Sequence, residues 1–382
     1  MIPYSRQLID KKDIQSVVKV LKSDFLTQGP MVEKFEKNLK KLCGSKFATS
    51  VNSATSALHI SCLALDLKKG DYLWTSPISF VASSNCALYC GAKVDFIDIN
   101  LENFNIDISL LKKKLAIAKK KNKLPKIIVP VHMAGLSCDM EEIKKLSKKY
   151  KFKIIEDASH AIGSKYNGSL VGSCQFSDIT VFSFHPVKII TTGEGGMILT
   201  NNFELDKKLK LLRTSGIDKN LDKKKLDKKG QWFYEQKLLG YNYRMNDISA
   251  ALGLSQLKKV DQFVKKRNLI ASNYKILLKD LPIKFQYIDN KNCSSYHLFI
   301  IRVPKNIRKK LFNELRNNGF YVNIHYIPIH LQPFYKKIKF KKGMFPKSEK
   351  YYNEALSIPI YPNLKLRSLK KVVSIVKKTL VK

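Results

Sequence analysis

Residues 179–196 read ITVFSFHPVKIITTGEGG and combine an apolar run, a single lysine and a glycine-rich turn. The apolar run 179–184 is typical of a buried strand, and the turn leads into a second apolar run at 196–200. Lys188 follows the first of these runs and is itself followed by two isoleucines. An apolar setting lowers the pKa of a lysine, so that its amine can form a Schiff base with an aldehyde. We therefore expect Lys188 to carry chemistry.

Around this stretch, from residue 13 to 255, short apolar runs alternate with amphipathic segments. The predicted strands are residues 47–51, 72–76, 94–99, 126–131, 152–156, 179–184 and 196–200. The predicted helices include residues 14–21, 56–65, 109–120 and 140–150. This alternation predicts an α/β fold with a mostly parallel sheet covered by helices on both faces. Ligands of such sheets bind beyond the carboxyl ends of the strands.

The C-terminal part of the chain has fewer apolar runs and several prolines after residue 267. A helix is predicted at 248–266, and apolar residues at helical spacing predict a closing helix. These residues are Leu369, Val372, Val373, Val376 and Leu380. We therefore expect an N-terminal arm at 1–30, a large domain at 31–255 and a smaller α/β domain at 256–382.

The most conspicuous feature of the composition is its positive charge. The 382 residues include 70 lysines and arginines against 31 aspartates and glutamates, a formal net charge of +39. A nucleic-acid surface concentrates such charge, with many arginines and interleaved aromatics. Here nearly all of the charge is lysine and it is dispersed along the chain. We interpret it as solvated helix faces, and keep a lysine-rich polyanion-binding protein as the alternative from another functional class.

Other global features favour a cytoplasmic protein. No apolar run approaches the roughly 18–20 residues that span a bilayer, and residues 1–13 lack the apolar segment of a signal peptide. The seven cysteines include no C-x-x-C pair, so we expect reduced packing residues, with neither disulfides nor metal ligands. The lysine-rich residues 219–229 are expected to form an exposed loop or helix cap.

Three further segments follow predicted strands. Residues 52–58, NSATSAL, open a helix whose N-terminus could bind an anion, although such residues usually only cap a helix. Residues 154–160, IIEDASH, place an acidic pair at the end of a buried strand, where an N-cap is the equal alternative. Phe80 follows another strand and could cover a flat cofactor or pack in the core. Together with Lys188, these groups match the requirements of pyridoxal phosphate.

The chain is also similar over essentially its whole length to the DegT/DnrJ/EryC1/StrS family of sugar aminotransferases. The motifs that carry the likeness lie at 26–29, 52–58, 76–82, 183–196, 242–246 and 254–258. The resemblance implies a fold-type-I PLP-dependent transferase: a large domain with a mostly parallel central sheet covered by helices, plus a smaller C-terminal α/β domain. A lysine at position 188, where a dehydratase offshoot of the family has histidine, argues for the aminotransferases.

The resemblance also implies cofactor contacts, position by position. Lys188 matches the lysine that bonds the cofactor's aldehyde, and Asp157 matches the partner of the pyridine nitrogen. Phe80 matches the aromatic that stacks on the ring, and His160 matches the residue beside the phenolic oxygen. The expected phosphate contacts are Ala54, Thr55 and Ser183, with Asn242 reaching the cofactor of a neighbouring subunit. Many relatives have glycine where this chain has Ala54, but a backbone N–H serves equally there.

Substrate contacts are expected at two places that relatives use for a nucleotide sugar. In the arm they are Tyr4, Leu26, Thr27 and Gln28, and in the small domain they are His325 and Tyr326. The likeness to enzymes of pseudaminic acid biosynthesis implies transfer of an amino group from L-glutamate to the C4 ketone of a UDP-linked 4-keto-6-deoxy-2-acetamido sugar. The product would be UDP-4-amino-4,6-dideoxy-N-acetyl-β-L-altrosamine. Another nucleotide-linked 3- or 4-keto sugar is the alternative, and a homodimer is expected.

Overall fold

Strands and helices alternate along the chain in the structure, a computed structural model that describes residues 1–218 and 223–381. Within these residues the strands are β1 (Ile2–Pro3), β2 (Phe47–Val51), β3 (Tyr72–Thr75), β4 (Lys93–Phe96), β5 (Ile127–Val129), β6 (Lys153–Asp157), β7 (Lys165–Tyr166), β8 (Ser169–Leu170), β9 (Ile179–Ser183), β10 (Gly196–Thr200), β11 (Ile217–Asp218), β12 (Glu235–Gln236), β13 (Lys284–Phe285), β14 (Asn292–Cys293), β15 (Phe299–Arg302), β16 (Phe320–Tyr321) and β17 (Ala355–Ile358).

The helices of the same residues are α1 (Lys11–Leu21), α2 (Pro30–Cys43), α3 (Ala54–Ala64), α4 (Ala82–Tyr89), α5 (Ile108–Lys120), α6 (Met140–Tyr150), α7 (Phe203–Arg213), α8 (Lys223–Lys229), α9 (Asp247–Leu257), α10 (Val260–Leu278), α11 (Lys305–Asn317), α12 (Pro333–Lys337), α13 (Pro346–Glu354) and α14 (Leu366–Val381). Two 3₁₀ turns lie at Met133–Gly135 and Ile329–Leu331. None of these helices is long and apolar enough to cross a membrane.

Local sequence signals explain where the first helices begin and end. The side chain of Asp10 accepts a hydrogen bond from the N–H of Asp13, and the side chain of Asp13 accepts one from the N–H of Asp10. This capping box starts α1. Helix α2 starts with Pro30 and ends before Gly44, whose φ of 77° is easy only for glycine.

The central sheet has seven strands in the order β2-β10-β9-β6-β5-β3-β4. Strands β9, β6, β5, β3 and β4 pair in parallel, whereas β10 is antiparallel to both of its neighbours. The prediction of a mostly parallel sheet is therefore confirmed. All seven predicted strands are present, with ends that differ by three residues at most.

Helices cover both faces of this sheet, because successive residues of each strand face opposite ways. In β10, Ile198 packs in one apolar cluster with Leu58 of α3. Its neighbours Met197 and Leu199 pack in another cluster with Phe35 of α2. Both faces are apolar, so the strands read as nearly continuous apolar runs.

The C-terminal part forms a second core around the antiparallel sheet β13-β15-β17. Helices α11 and α14 contribute apolar residues to it, and the four predicted residues from Leu369 to Val376 are buried there while Leu380 packs at its edge. The closing helix is thus confirmed. The division of the chain at residue 255 remains a prediction, because α10 contributes Phe263 to the large core and Tyr274 to the small one.

One local prediction was wrong, and another was right only in part. The helix expected at 248–266 is two helices, because the chain changes direction at Lys258 and Lys259, where the Nζ of Lys259 contacts the carboxylates of Asp10 and Asp13 at 2.7 Å. This ion pair joins segments far apart in sequence, so helical periodicity does not encode it. The lysine-rich stretch, expected as an exposed loop or helix cap, forms the helix α8 at 223–229, where residues 225 and 227–229 are exposed as expected; residues 219–222 lie outside the described part.

The cysteines are free thiols, as expected. Five are buried, Cys90 is half-buried and Cys293 is exposed.

Candidate active site

A cavity of about 450 Å³ opens at the carboxyl ends of β6 and β9, against the N-terminus of α3. Ten of the fourteen site residues predicted from the sequence line it. These ten are Tyr4, Ala54, Thr55, Phe80, Asp157, His160, Ser183, Lys188, His325 and Tyr326. Residues from the arm, the large core and the small core therefore meet at one place.

Lys188 lies on the wall of this cavity, in the segment between β9 and β10. Its backbone N–H donates to the carbonyl of His185 at 2.9 Å, which holds a tight turn after the strand. Burial lowers the pKa of the Lys188 amine to about 8, and the nearby carboxylate of Asp157 opposes this shift only in part. Near neutral pH about a tenth of the amine is therefore unprotonated and nucleophilic, far more than for an ordinary lysine.

Asp157 ends β6 with its carboxylate almost fully buried in the cavity wall. One carboxylate oxygen accepts a hydrogen bond from the Ser83 hydroxyl at 2.5 Å, and the other accepts from the N–H of Ser159 at 3.1 Å. The Ser83 hydroxyl in turn contacts the hydroxyl of Ser79 at 2.6 Å. These contacts hold the carboxylate in one orientation toward the cavity.

The N-terminus of α3 forms the floor at the other end of the cavity. The side chain of Ser53 caps the helix by accepting from the N–H of Ser56, while Ala54 and Thr55 open the first turn. First-turn N–H groups have no carbonyl partner within a helix, so they are available to an anion.

The strand beside this helix end fits against it because position 196 is glycine. A Cβ atom on Gly196 would lie 2.7 Å from the carbonyl carbon and oxygen of Ser53 and 2.8 Å from the nitrogen of Ala54. Ser183 is paired with Gly196 across β9 and β10, so its hydroxyl faces the same place. The three elements thus form a cradle of N–H and hydroxyl donors.

Two histidines and a tyrosine line the opposite side. His160 Nδ1 accepts from the N–H of Ala134 at 3.3 Å, and His160 Nε2 lies 3.1 Å from the Tyr326 hydroxyl. Burial, with the charge of Lys188 and the neighbouring His325, holds the pKa of His160 well below its ordinary value. Burial lowers the pKa of His325 to about 3, and its Nδ1 bonds the hydroxyl of Ser357 at 2.8 Å. Both rings are therefore neutral at physiological pH.

Aromatic rings surround the mouth of the cavity. Phe80 is 59% exposed and its ring centre lies 6.5 Å from that of Tyr326. Tyr4, from the N-terminal arm, packs its ring 4.8 Å from that of His325. A flat molecule entering the cavity would pass between these rings.

Four predicted residues do not line this cavity. Leu26, Thr27 and Gln28 are exposed, and Asn242 is exposed in a segment that bridges to Thr214. Leu26 and Thr27 lie beside the loop that precedes α9, where the carbonyl of Leu26 accepts from the N–H of Asp247 at 2.9 Å. Gln28 lines a different cleft.

Sequence reasoning missed several groups of the site. Ser79 and Ser83 are four residues apart, on either side of Phe80 in sequence, and their hydroxyls contact each other. This spacing, close to Phe80, is a signal that could have identified them. Glu194, in the glycine-rich turn after Lys188, and Asn323, before His325, also line the cavity. The contact between Ser83 and Asp157 joins residues 74 positions apart, so only the folded chain reveals it.

The arrangement fits pyridoxal phosphate. The cavity offers a partly unprotonated amine for an aldehyde, a fixed carboxylate for a protonated ring nitrogen, and a donor cradle for a phosphate. The cradle is the most specific part, because its shape depends on the absence of a Cβ at Gly196.

Comparisons with known proteins agree with a site for pyridoxal phosphate. Residues 7–377 match the DegT/DnrJ/EryC1/StrS aminotransferase family. The chain is 42% identical over 374 residues to the UDP-4-amino-4,6-dideoxy-N-acetyl-beta-L-altrosamine transaminase of Campylobacter jejuni, covering 97% of this chain and 95% of the relative.

Solved structures agree closely with the fold. PseC of Helicobacter pylori, described as an aminotransferase involved in the biosynthesis of pseudoaminic acid, superposes with a TM-score of 0.91 at 35% identity, covering 100% of this chain and 99% of that chain. Spr1654 of Streptococcus pneumoniae, solved in its PMP form, superposes with a TM-score of 0.93 at 28% identity and the same coverage.

Proposed function

The chain belongs to the DegT/DnrJ/EryC1/StrS aminotransferase family, and on this premise we propose that it aminates the C4 ketone of a UDP-linked 4-keto-6-deoxy-2-acetamido sugar. It is a pyridoxal-phosphate-dependent sugar aminotransferase. The single observation that carries the assignment of chemistry to residues is the meeting of Lys188, Asp157 and the α3 N-terminus in one cavity.

Each group of the cavity has a separate task in this reaction. When bound, pyridoxal phosphate supplies the aldehyde that receives the amino group and the ring that takes up the electrons of the broken bond. Lys188 would hold the cofactor through its aldehyde and, with its amine free, would serve as the base and acid that moves a proton at the donor Cα. Asp157 holds the proton on the pyridine nitrogen and so keeps the ring electron-withdrawing.

The remaining groups position the reactants. Ala54 and Thr55 hold the phosphate through their N–H groups, with Ser183 as a further donor. Phe80 would cover the cofactor's ring and His160 would lie on the side of its phenolic oxygen. Lys188 would also supply the proton transfers at the C4 carbon of the sugar, where the amino group is to remain.

The sugar is proposed from relatives rather than from the cavity. The Campylobacter jejuni relative is named as the altrosamine transaminase, and PseC is described as an enzyme of pseudoaminic acid biosynthesis. Tyr4, His325 and Tyr326 at the cavity mouth would contact the sugar. The product we propose is UDP-4-amino-4,6-dideoxy-N-acetyl-β-L-altrosamine, formed with L-glutamate as the donor in the cytoplasm.

A homodimer forms the second part of the proposal. Asn242 is exposed and outside the cavity of its own chain, as expected for a residue that serves a second copy; Leu26, Thr27 and Gln28 are also exposed outside it. Mixing Lys188→Ala and Asn242→Ala subunits tests this, because a mixed dimer regains one intact site. Activity that stays at the level of the separate variants would contradict the shared site.

The substrate is tested with the cofactor-loaded protein, glutamate and a panel of nucleotide-linked 3-keto and 4-keto sugars, with NMR locating the new amine. We expect a C4 amine on the UDP-linked 4-keto-6-deoxy-2-acetamido sugar. The exposed lysine variant Lys291→Ala should match the wild type, whereas Lys188→Ala should form no product. Amination of another sugar alone would replace the proposed substrate and keep the aminotransferase.

A further inference from the structure

A buried hydrogen-bonded pair, Glu156 and His132, lies next to residues that line the cavity. Glu156 precedes Asp157 on β6, so the two side chains point to opposite faces of the sheet. Glu156 is 5% exposed, and its Oε2 lies 2.7 Å from Nε2 of the fully buried His132. Its Oε1 accepts from the hydroxyls of Ser177 at 2.5 Å and Thr180 at 3.0 Å. The proposed mechanism does not use this pair.

The hydrogen bonds define the protonation of the pair. His132 Nδ1 accepts from the N–H of Cys138 at 3.2 Å, so its Nε2 carries the proton donated to Glu156. Burial would raise the pKa of Glu156, but the donors His132, Ser177 and Thr180 outweigh it and hold this pKa below its ordinary value. Glu156 is therefore an ionised carboxylate, and each of its described hydrogen-bond partners donates to it.

The segment from His132 to Gly135 begins at the residue whose ring bonds Glu156, and further hydrogen bonds fix its backbone. The N–H of His132 donates to the carbonyl of Asp157 at 3.1 Å, and the N–H of Met133 donates to the side chain of Asn105 at 2.9 Å. Ala134 then has a φ of 61°, a left-handed conformation that a residue with a Cβ adopts only when its surroundings hold it.

The segment from His132 to Gly135 contacts His160 through Ala134. In its left-handed conformation Ala134 donates its N–H to His160 Nδ1 at 3.3 Å. A neutral imidazole that accepts at Nδ1 carries its proton at Nε2, which faces the Tyr326 hydroxyl at 3.1 Å in the cavity wall. The orientation and proton of the His160 ring thus depend on a backbone N–H two residues from His132, whose own ring bonds Glu156.

We propose that Glu156 and His132 are positioning residues that hold the Ala134 N–H on His160 and thereby fix the ring nitrogen that presents a proton to the cofactor. This inference rests on the proposed place of His160 beside the phenolic oxygen of the cofactor. The chain supplies a control pair, because buried His330 and half-buried Glu349 have Nε2 and Oε1 3.0 Å apart and neither lines the cavity.

The first experiment needs no cofactor. The seven histidines are labelled with ¹⁵N in the full chain, and His160→Gln assigns the His160 signals. In Glu156→Ala we expect the Nδ1 signal of His160 to shift, since Ala134 no longer donates to it. In the conservative Glu156→Gln, whose amide oxygen still accepts from His132, the wild-type shift should return. Glu349→Ala should leave the signal unchanged at a similar loss of melting temperature.

The second experiment uses the cofactor-loaded protein. Glu156→Ala should change the ratio of the two absorption bands of the bound cofactor about fivefold, the effect of losing one hydrogen bond, and Glu349→Ala should not. If Glu156→Ala does not fold, His132→Gln with the control His330→Gln replaces it.

An unchanged His160 signal in a folded variant would overturn the inference. A wild type that binds no cofactor would instead overturn the proposed function, and the first experiment would still decide the positioning role.

Discussion

The phosphate cradle gives the sharpest test of the site, through the substitution Gly196→Ala. The φ of Gly196 lies outside the left-handed region, so alanine is allowed by the backbone and only space opposes it. The added Cβ would lie 2.7 Å from backbone atoms of Ser53 and 2.8 Å from the nitrogen of Ala54. Because these neighbours are backbone atoms, no side chain can rotate away and the start of α3 must move.

The size of the effect follows from that movement. An ordinary contact needs at least 3.4 Å, so the helix end must retreat by about 0.7 Å. A hydrogen bond between an N–H and a charged group contributes about 1.5–3 kcal/mol, and a shift of this size weakens at least one of them. At 1.4 kcal/mol per tenfold change, the Kd for pyridoxal phosphate should rise about 10- to 100-fold. Overpacking should also lower the free energy of unfolding by about 1–3 kcal/mol.

The assay compares two ligands on the same folded variant. The Kd values of pyridoxal phosphate and of pyridoxal, which lacks the phosphate, are measured by absorbance titration. Gly196→Ala should weaken the first and leave the second within about twofold, the scatter expected for a contact it does not touch. Equal weakening of both ligands, or of neither, would refute the cradle. Thr55→Ala, which keeps its N–H, serves as a control for local packing.

Two further predictions concern reactivity and stability. Because burial lowers the pKa of Lys188 to about 8, its rate of adduct formation with pyridoxal should rise up to about pH 8 and then level off. The control is exposed Lys291, whose pKa is raised by its contact with Glu141. Borohydride trapping at pH 8, followed by peptide mapping, should label Lys188 far more than Lys291. Equal labelling of the two lysines would contradict a desolvated Lys188. Asp247→Ala should lower the free energy of unfolding by about 1–3 kcal/mol in urea titrations, because buried Asp247 accepts from the N–H groups that start α2, whereas a change at exposed Asp24 should not.

Much of the site could be predicted because its parts are local in sequence. Lys188 was recognisable from the apolar strand before it and the glycine turn after it, and Asp157 from its place at the end of a buried strand. Apolar runs marked the strands and helical spacing marked the helices, because the burial of each element shows within a few residues of sequence.

Other features could not be predicted because they depend on contacts between distant residues. Helix α9 ends where Lys259 contacts Asp13, and Asp157 is oriented by Ser83 from another layer. The placement of His160 depends on Tyr326, which is 166 residues further along the chain. No periodicity records such pairs.

The sequence by itself determined the α/β class of the fold and singled out Lys188 among 70 basic residues as the candidate for the chemistry. Only the tertiary structure decided that β10 inserts antiparallel between β2 and β9, which brings Gly196 against the start of α3. It also decided that Glu156, one residue from Asp157, faces away from the cavity to anchor His132. The physical reason is that apolar patterning specifies which face of an element is buried, whereas the partner on that face is chosen only when the whole chain packs.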